Sequence, residues 1–358
     1  MASRELFSPA NLGAIALKNR IVMAPLTRSR ADDHGVSAEF APDYYGPRAS
    51  AGMIITAATQ ASFEGMGYPR TPGIHTPEQI ASWKRVVDVV HAHGGKIVLQ
   101  IWHVGRIASH LNRGVPADVV APSAIQAPGK IYTDEKGMVD HDVPRALATH
   151  EIAEIAQEFA AGAQTAIATG FDGVEIHSAN GYLLHQFLSS NVNQRTDRYG
   201  GSISNRVAMP LEVISAVLKR VPHDRVGVRV SPGHTFNGIE EGDTNELYRH
   251  YLGELNAFNL AYLHVMRPSA NDFETDPVDL ARSVFKGPII AAGGYDAQSA
   301  CTLIAKGGAD TVAFGRAFIA NPDLVERIAQ GAPLNKPNEA TFYTPGREGY
   351  TDYPWLSA

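Results

Sequence analysis

The stretch His75–Trp102, HTPEQIASWKRVVDVVHAHGGKIVLQIW, reads as one helix followed by one strand. Thr76 stands where an N-cap hydroxyl belongs, Pro77 fills the first helical position, and Gln79, three residues after the cap, completes a capping box. Ile80, Trp83, Val87 and Val90 fall on one face at helical spacing, and Gly94 ends the helix. Directly beyond, Ile97–Ile101 is a short apolar run rich in β-branched residues, the pattern of a strand buried on both faces.

Seven more runs of this kind surround it: Ile21–Ala24, Met53–Ala57, Gly173–Ile176, Val226–Val230, Tyr262–Val265, Pro288–Ala291 and Thr311–Phe314. Helical patterns separate most of them. Ile152, Ile155, Phe159, Ala163 and Ala166 make one apolar stripe before Gly170, and Asn321-Pro322 is expected to open a helix that Gly331 closes. Strands alternating with helices predict an α/β protein with a parallel sheet, and eight is the number that closes a (β/α)8 TIM barrel. The 358 residues then make a single domain, residues 1–358. Val104–Arg145, the longest gap, is rich in Gly, Pro, Ser and Asp without helical period; it is expected to be an elaborated β3–α3 loop capping the barrel mouth, with short hairpins of its own. Pro333–Ala358, which holds Phe342, Tyr343, Tyr350 and Tyr353, reads as a packed irregular tail.

Composition removes several functions. Lys and Arg number 31 against 37 Asp and Glu, a net charge of −6 that offers no field for nucleic acid or an anionic membrane. Cys301 is the only cysteine and lies on an apolar helix face, which excludes an iron–sulfur cluster, a disulfide and a thiolate zinc site within one chain. The opening MASRELFSPANLG has no signal-like apolar core, and no apolar run approaches the ~20 residues of a membrane span, so a cytoplasmic protein is expected.

In such a barrel the chemistry sits at the C-terminal ends of the strands. No His-x-His ends the first strand, His91-Ala92-His93 falls at a helix C-terminus, no strand end carries a Schiff-base lysine, and no second acid faces Glu175. No metal is expected. The ends carry instead Pro25-Leu26-Thr27, Ala58, Gln100 with Trp102, His177 with Asn180 and Tyr182, Arg229, His264 with Met266, Gly293-Gly294 and Gly315-Arg316. Neutral hydrogen-bonding groups of this kind suggest a borrowed reagent. The glycine turns after strands seven and eight, with Arg316 beside them, suit a phosphate. FMN matches the set: its phosphate on those turns, Gln100 at the pyrimidine edge, Arg229 against the charge of the reduced ring. FAD on a Rossmann turn fits less well, since Gly65-Met66-Gly67-Tyr68-Pro69-Arg70 lacks the third glycine. A redox-silent barrel binding a phosphorylated ligand, as an isomerase or a non-catalytic binding protein, remains the alternative.

The motifs NRIVMAPLTR (Asn19–Arg28), QIWHVGR (Gln100–Arg106), HSANGYLLHQFL (His177–Leu188) and NQRTDRYGGSISNR (Asn193–Arg206) resemble the old yellow enzyme family of FMN-dependent NAD(P)H ene-reductases. AAGGY, AFGRAFIANPDL and GYTDYP extend the likeness nearly end to end. The resemblance implies a barrel holding FMN non-covalently through Pro25, Leu26, Thr27, Ala58, Gln100, Arg229, Gly293, Gly294, Gly315 and Arg316, with Thr27 at the flavin O4. It implies that His177 and Asn180 hold the carbonyl or nitro oxygen of an activated alkene while hydride passes from flavin N5 to the β-carbon. Some family members have a second histidine in place of Asn180. Tyr182 matches the proton donor to the α-carbon; a phenol of ordinary pKa ~10 is protonated at neutral pH. Tyr68, Trp102, Met266 and Tyr343 are expected to line the substrate pocket. The cycle implied is ping-pong, with NADPH or NADH as reductant, in a monomer or homodimer. A larger dienoyl-CoA-reductase relative is disfavoured by the single cysteine and the absence of a C-terminal nucleotide domain.

Overall fold

In a computed structural model, which describes residues 5–113, 115, 117–268 and 275–356, eight parallel strands close into a barrel. They are β1 (Ile21–Met23), β2 (Met53–Ile55), β3 (Ile97–Trp102), β4 (Gly173–Ser178), β5 (Val226–Val230), β6 (Tyr262–Met266), β7 (Ile289–Ala292) and β8 (Thr311–Phe314). Each pairs with the next, and β8 returns to β1, so the barrel has no open edge. Among the helices outside it are α1 (Ala41–Tyr45), α2 (Pro77–Ala92), α3 (Thr149–Thr169), α4 (Ala208–Leu218), α5 (Thr244–Leu255), α6 (Pro277–Val284), α7 (Ala297–Ala305) and α8 (Leu324–Gln330), with shorter helical turns at Leu183–Leu188, Ile203–Arg206 and Arg316–Ala320. All eight expected strands are present.

Helix α2 carries the anticipated punctuation. The Gln79 N–H donates to Thr76 Oγ1 at 3.3 Å, the Thr76 N–H donates to Gln79 Oε1 at 3.1 Å, and Gly94 turns left-handed at φ 68°. Trp83, Val86, Val87 and Val90 are buried while Ile80 is half-buried, so the packed face lies slightly round from the expected stripe. In α3 the whole predicted stripe is buried, and Gly170 caps the helix in the left-handed region. The last helix is a correction. It opens at Leu324 with Asp323 as N-cap, two residues later than Asn321-Pro322, because the Asn321 side chain is spent elsewhere: its Nδ2 donates to the Ala317 carbonyl of the preceding helical turn and its Oδ1 accepts the Asn335 N–H of the tail, both at 2.8 Å.

Two-residue periodicity inside each strand separates two cores. Ile97, Leu99, Val174, Ile176, Val228, Val230, Leu263 and Val265 point outward to the helices. The alternate positions point into the barrel. Near its base these are apolar, Val22, Met53, Val98, Ile290 and Ala313, and the hairpin Ala10–Leu12/Ile15–Leu17 closes that end with Leu12 and Ile15. Higher up, the inward positions turn polar: Gln100, Glu175, Arg229 and His264 are all buried. The strands thus spend their outward faces on stability and their inward upper faces on a site.

Between β3 and α3 the 104–145 segment forms a short hairpin, Lys130–Thr133 with Gly137–Asp140, and a two-residue parallel pairing, Val120–Ala121 with Arg145–Ala146. Arg106 ties this segment to the loop after β5. Its guanidinium donates to the carbonyls of Ile125, Asn237 and Gly238, and burial pushes its pKa down to about 10. The tail folds back on β1, where Arg28 and Arg30 donate to the carbonyls of Phe342, Gly349, Thr341 and Glu348. Gly114, Pro116, Ser357 and Ala358 of these two segments lie outside the described residues. Among the described residues no helix is long and apolar enough to cross a membrane.

Candidate active site

Three aromatic rings meet at the ends of β3 and β4. Trp102 and His177 are the last inward residues of those strands, and their rings lie nearly parallel (9°) with centroids 6.4 Å apart. Tyr182 stands edge-on to both, 4.8 Å from Trp102 and 5.1 Å from His177. Tyr68 stacks on the other side of Trp102 at 6.0 Å and meets Tyr182 hydroxyl to hydroxyl at 3.4 Å. Burial pushes the Tyr182 phenol well above its usual pKa, with Tyr68 adding to the effect, so the hydroxyl keeps its proton more firmly than the sequence reading assumed. Burial, then the charge of Arg229, pushes the His177 imidazole well below its usual range. It is therefore neutral at physiological pH.

Asn180 reaches the same place through a left-handed turn. Asn180 (φ 56°) and Gly181 (φ 75°) form the turn, and a Cβ on Gly181 would lie 2.6 Å from both Asn237 Cβ and the Phe236 carbonyl oxygen, so only glycine fits. Every polar backbone group here is engaged. The Asn180 N–H donates to Ser231 Oγ at 2.8 Å, and Asn237 Nδ2 donates to the Asn180 carbonyl at 2.8 Å. The Gly181 N–H donates to His185 Nδ1 at 3.0 Å, which obliges His185 to carry its proton on Nε2, 2.8 Å from the buried Glu241 carboxylate.

Beneath the aromatic rings lies a second polar layer. Glu175, fully buried in β4, accepts from Gln100 Nε2 at 2.7 Å and from His264 Nδ1 at 2.9 Å. Burial raises its pKa, but His264, Arg229 and Gln100 outweigh burial and hold the carboxyl below its usual range. Burial lowers Arg229, which stays a guanidinium, with Glu175 opposing the shift. At the opposite side of the mouth, Gly293 (φ 103°) and Gly294 (φ 75°) follow β7, and a Cβ on Gly294 would stand in open space. Arg316 is exposed at the start of the short helix Arg316–Ala320, beside half-buried Gly315. Arg267, paired with Asp276 at 2.8 Å, lies against Gly293 as a further cation at this corner.

The sequence-predicted residues occupy this rim. Pro25, Leu26, Thr27 and Met266 are half-buried around it and Ala58 is buried in the Trp102 cluster. Tyr343 does not line the interior: it is 61 % exposed at the rim, its carbonyl accepting from Arg70 at 3.0 Å. Glu175, His264, Ser231, Asn237 and the His185–Glu241 pair were not given roles from sequence. The inward parity of Glu175 and His264 in their strands was the available signal; the loop residues left none.

The arrangement fits a flavin. Among the described residues, His177 Nδ1, Asn180 Oδ1, Trp102 Nε1 and Arg229 Nε are buried without a protein partner, which is costly unless a bound molecule supplies one. Gln100 and Arg229 offer a donor–acceptor amide and a positive charge suited to the pyrimidine edge, and the Gly293-Gly294 turn leaves backbone room for a phosphate.

Comparison with known proteins agrees. Residues 5–335 match the model of the NADH:flavin oxidoreductase / NADH oxidase family. A "probable flavin mononucleotide-dependent alkene reductase" of Leishmania infantum is 42% identical, over 98% of this chain and 97% of its own. The solved structure of morphinone reductase in complex with tetrahydroNAD superposes with a TM-score of 0.94 at 45% identity, covering 98% of each chain. That of the old yellow enzyme homologue from Zymomonas mobilis gives 0.94 at 39%, covering 98% and 99%. With motifs, barrel and mouth geometry in agreement, the chain belongs to the NADH:flavin oxidoreductase / NADH oxidase family and is an FMN-dependent oxidoreductase of the old yellow enzyme type.

Proposed function

We propose that this oxidoreductase uses NAD(P)H to reduce activated alkenes, α,β-unsaturated carbonyl and nitro compounds, by a ping-pong cycle at the Trp102–His177–Tyr182 mouth. The observation that carries this reading is the unpartnered His177 Nδ1, with a buried, protonated Tyr182 ring 5.1 Å from His177 and the Asn180 turn beside them. Pro25, Leu26, Thr27, Ala58, Gln100, Arg229, Gly293, Gly294, Gly315 and Arg316 would hold FMN, which when bound would supply the hydride. His177 and Asn180 hold the substrate's carbonyl or nitro oxygen, withdrawing electron density from the β-carbon and stabilising the charge that develops on that oxygen. Tyr182 holds a proton at its hydroxyl for the α-carbon; that hydroxyl donates to Tyr68 at 3.4 Å and has to swing from it to serve the substrate. Trp102 and Tyr68 exclude water from the same space, with Met266 and the rim residue Tyr343 shaping its entrance.

The whole chain, residues 1–358, acts as one catalytic domain, with residues 104–145 as the cap of the mouth. Its net charge of −6 argues against nucleic acid or an anionic membrane as partner; the enzyme is read as cytoplasmic and as a monomer or homodimer. The test is the doubly substituted His177→Ala/Asn180→Ala protein titrated with 4-hydroxybenzaldehyde, a phenol whose oxygen mimics the held substrate oxygen. Loss of two charge-assisted bonds predicts affinity lower by a factor of about 10²–10⁴. Unchanged affinity in a folded, FMN-loaded protein removes the clamp.

A further inference from the structure

Glu175 is the one inward-facing acid of the upper barrel layer whose charge the proposed cycle does not use. It sits at 0 % exposure, in register with Gln100 on β3 and with Gly227 on β5, while Arg229 and His264 stand in register with each other one step above. Its two oxygens are divided: Oε1 takes Gln100 Nε2 at 2.7 Å and Oε2 takes His264 Nδ1 at 2.9 Å. A carboxylate only accepts hydrogen bonds. Gln100 therefore cannot flip its amide without setting oxygen against oxygen, and His264 must carry a proton on Nδ1, while its Nε2 has no partner among the described residues. His264 meets the carboxylate through a hydrogen bond, while the Arg229 guanidinium acts on the same charge from the next step of the barrel. Among the described residues Glu175 pairs with His264 and not with Arg229, so the Arg229 and Glu175 charges act on each other through space.

Resting on the flavin reading above, we propose that Glu175 is a positioning residue for FMN. It fixes Gln100 so that Oε1 and the second Nε2–H present an acceptor–donor pair to the imide edge of the pyrimidine ring, and its charge offsets the pull of Arg229 on electrons placed in that ring. A purely structural buried carboxylate would do neither.

Glu175→Gln separates the two possibilities, since an amide of the same shape still satisfies Gln100 and His264 but removes the charge and the compulsion on the Gln100 amide. Apoprotein titrated with FMN, followed by flavin fluorescence, is expected to bind oxidised FMN about tenfold more weakly, the loss of one well-aligned hydrogen bond. The two-electron midpoint potential, read by equilibration with a reference dye, is expected to rise by about 30 mV, the equivalent of a tenfold preference for the reduced, anionic form. An affinity within twofold of wild type together with an unmoved potential overturns the proposal. Should Glu175→Gln fail to fold, Glu175→Asp keeps the charge and retracts it from Gln100 by one methylene; weaker FMN binding with an unmoved potential supports the proposal, and unchanged FMN binding overturns it. Bleaching of the wild-type flavin by NADPH and its return with an enone report the proposed function separately, whatever Glu175 does.

Discussion

Replacing Tyr182 by Phe removes one oxygen atom from the mouth and little else. The ring contacts with Trp102 at 4.8 Å and His177 at 5.1 Å are retained by phenylalanine, and the hydroxyl surrenders a single long contact with Tyr68 at 3.4 Å. A typical hydrogen bond contributes about 0.5–1.5 kcal/mol, and one this long belongs at the lower end, so stability should hardly change. The chemistry loses its positioned acid, a factor of about 10²–10⁴, or roughly 3–5 kcal/mol of barrier. The assay is anaerobic stopped-flow absorbance on the two half-reactions separately. Reduction of bound FMN by NADPH should stay near the wild-type rate, while reoxidation by cyclohexenone slows by the full factor. Because burial pushes the Tyr182 pKa well above its usual value, the wild-type alkene half-reaction should also show no loss of this proton up to the ordinary phenol range of ~10. Equal slowing of both half-reactions, or reoxidation slowed less than tenfold, refutes the assignment.

Other expectations follow from the same geometry. Gly181→Ala forces a Cβ to within 2.6 Å of Asn237 and the Phe236 carbonyl at φ 75°, and should cost about 1–3 kcal/mol in the urea midpoint; an unchanged midpoint contradicts the packing of that turn. His185→Ala removes one donor from the buried Glu241 carboxylate, which keeps those of Tyr248, Thr244 and Gly233, and leaves the Gly181 N–H without its acceptor, so it should cost about 1–3 kcal/mol and raise KM for the enone more than for NADPH; equal effects on both would show that the pair does not serve the Asn180 turn. His103 is buried, with its pKa pushed down to about 3 by burial and then by Arg113. Below pH 6.5 the unfolded chain protonates this histidine while the folded chain does not, so its contribution is intact above pH 6.5 and is lost toward pH 3 at up to about 1.4 kcal/mol per pH unit. His103→Asn should flatten that slope in urea melts taken between pH 7 and 5, and an unaltered slope contradicts the burial argument.

The barrel was legible because each strand is too short and too apolar to be anything but a doubly covered strand, and because Thr76, Gln79 and Gly94 mark a helix end to end. Where a polar side chain competes for a helix start, as Asn321 does by bonding Asn335, local signals mislead by a few residues. Catalytic candidates on strand ends, such as Gln100, His177 and Arg229, were readable because parity and position fix where a strand residue points. Glu175 and His264 obey the same parity, but in a single sequence a buried acid one step below the rim looks like any strand residue until its partners on β3 and β6 are seen together. Asn237 and Ser231 sit in loops, where sequence carries no period, and their contacts with the Asn180 turn come only from the closure of the barrel. Tyr343 belongs to the tail, whose path is set by the Arg28 and Arg30 clamps rather than by its own pattern.

The most direct measurement is the visible spectrum of the purified protein under anaerobic conditions, first alone, then with NADPH, then with cyclohexenone. A flavin spectrum that bleaches with NADPH and returns in full with the enone is the expected result, since it requires both the FMN site and the His177–Asn180–Tyr182 mouth to work. A flavin that bleaches but does not return with the enone contradicts the proposed alkene chemistry, and a colourless protein that cannot be reconstituted with FMN contradicts the cofactor site itself.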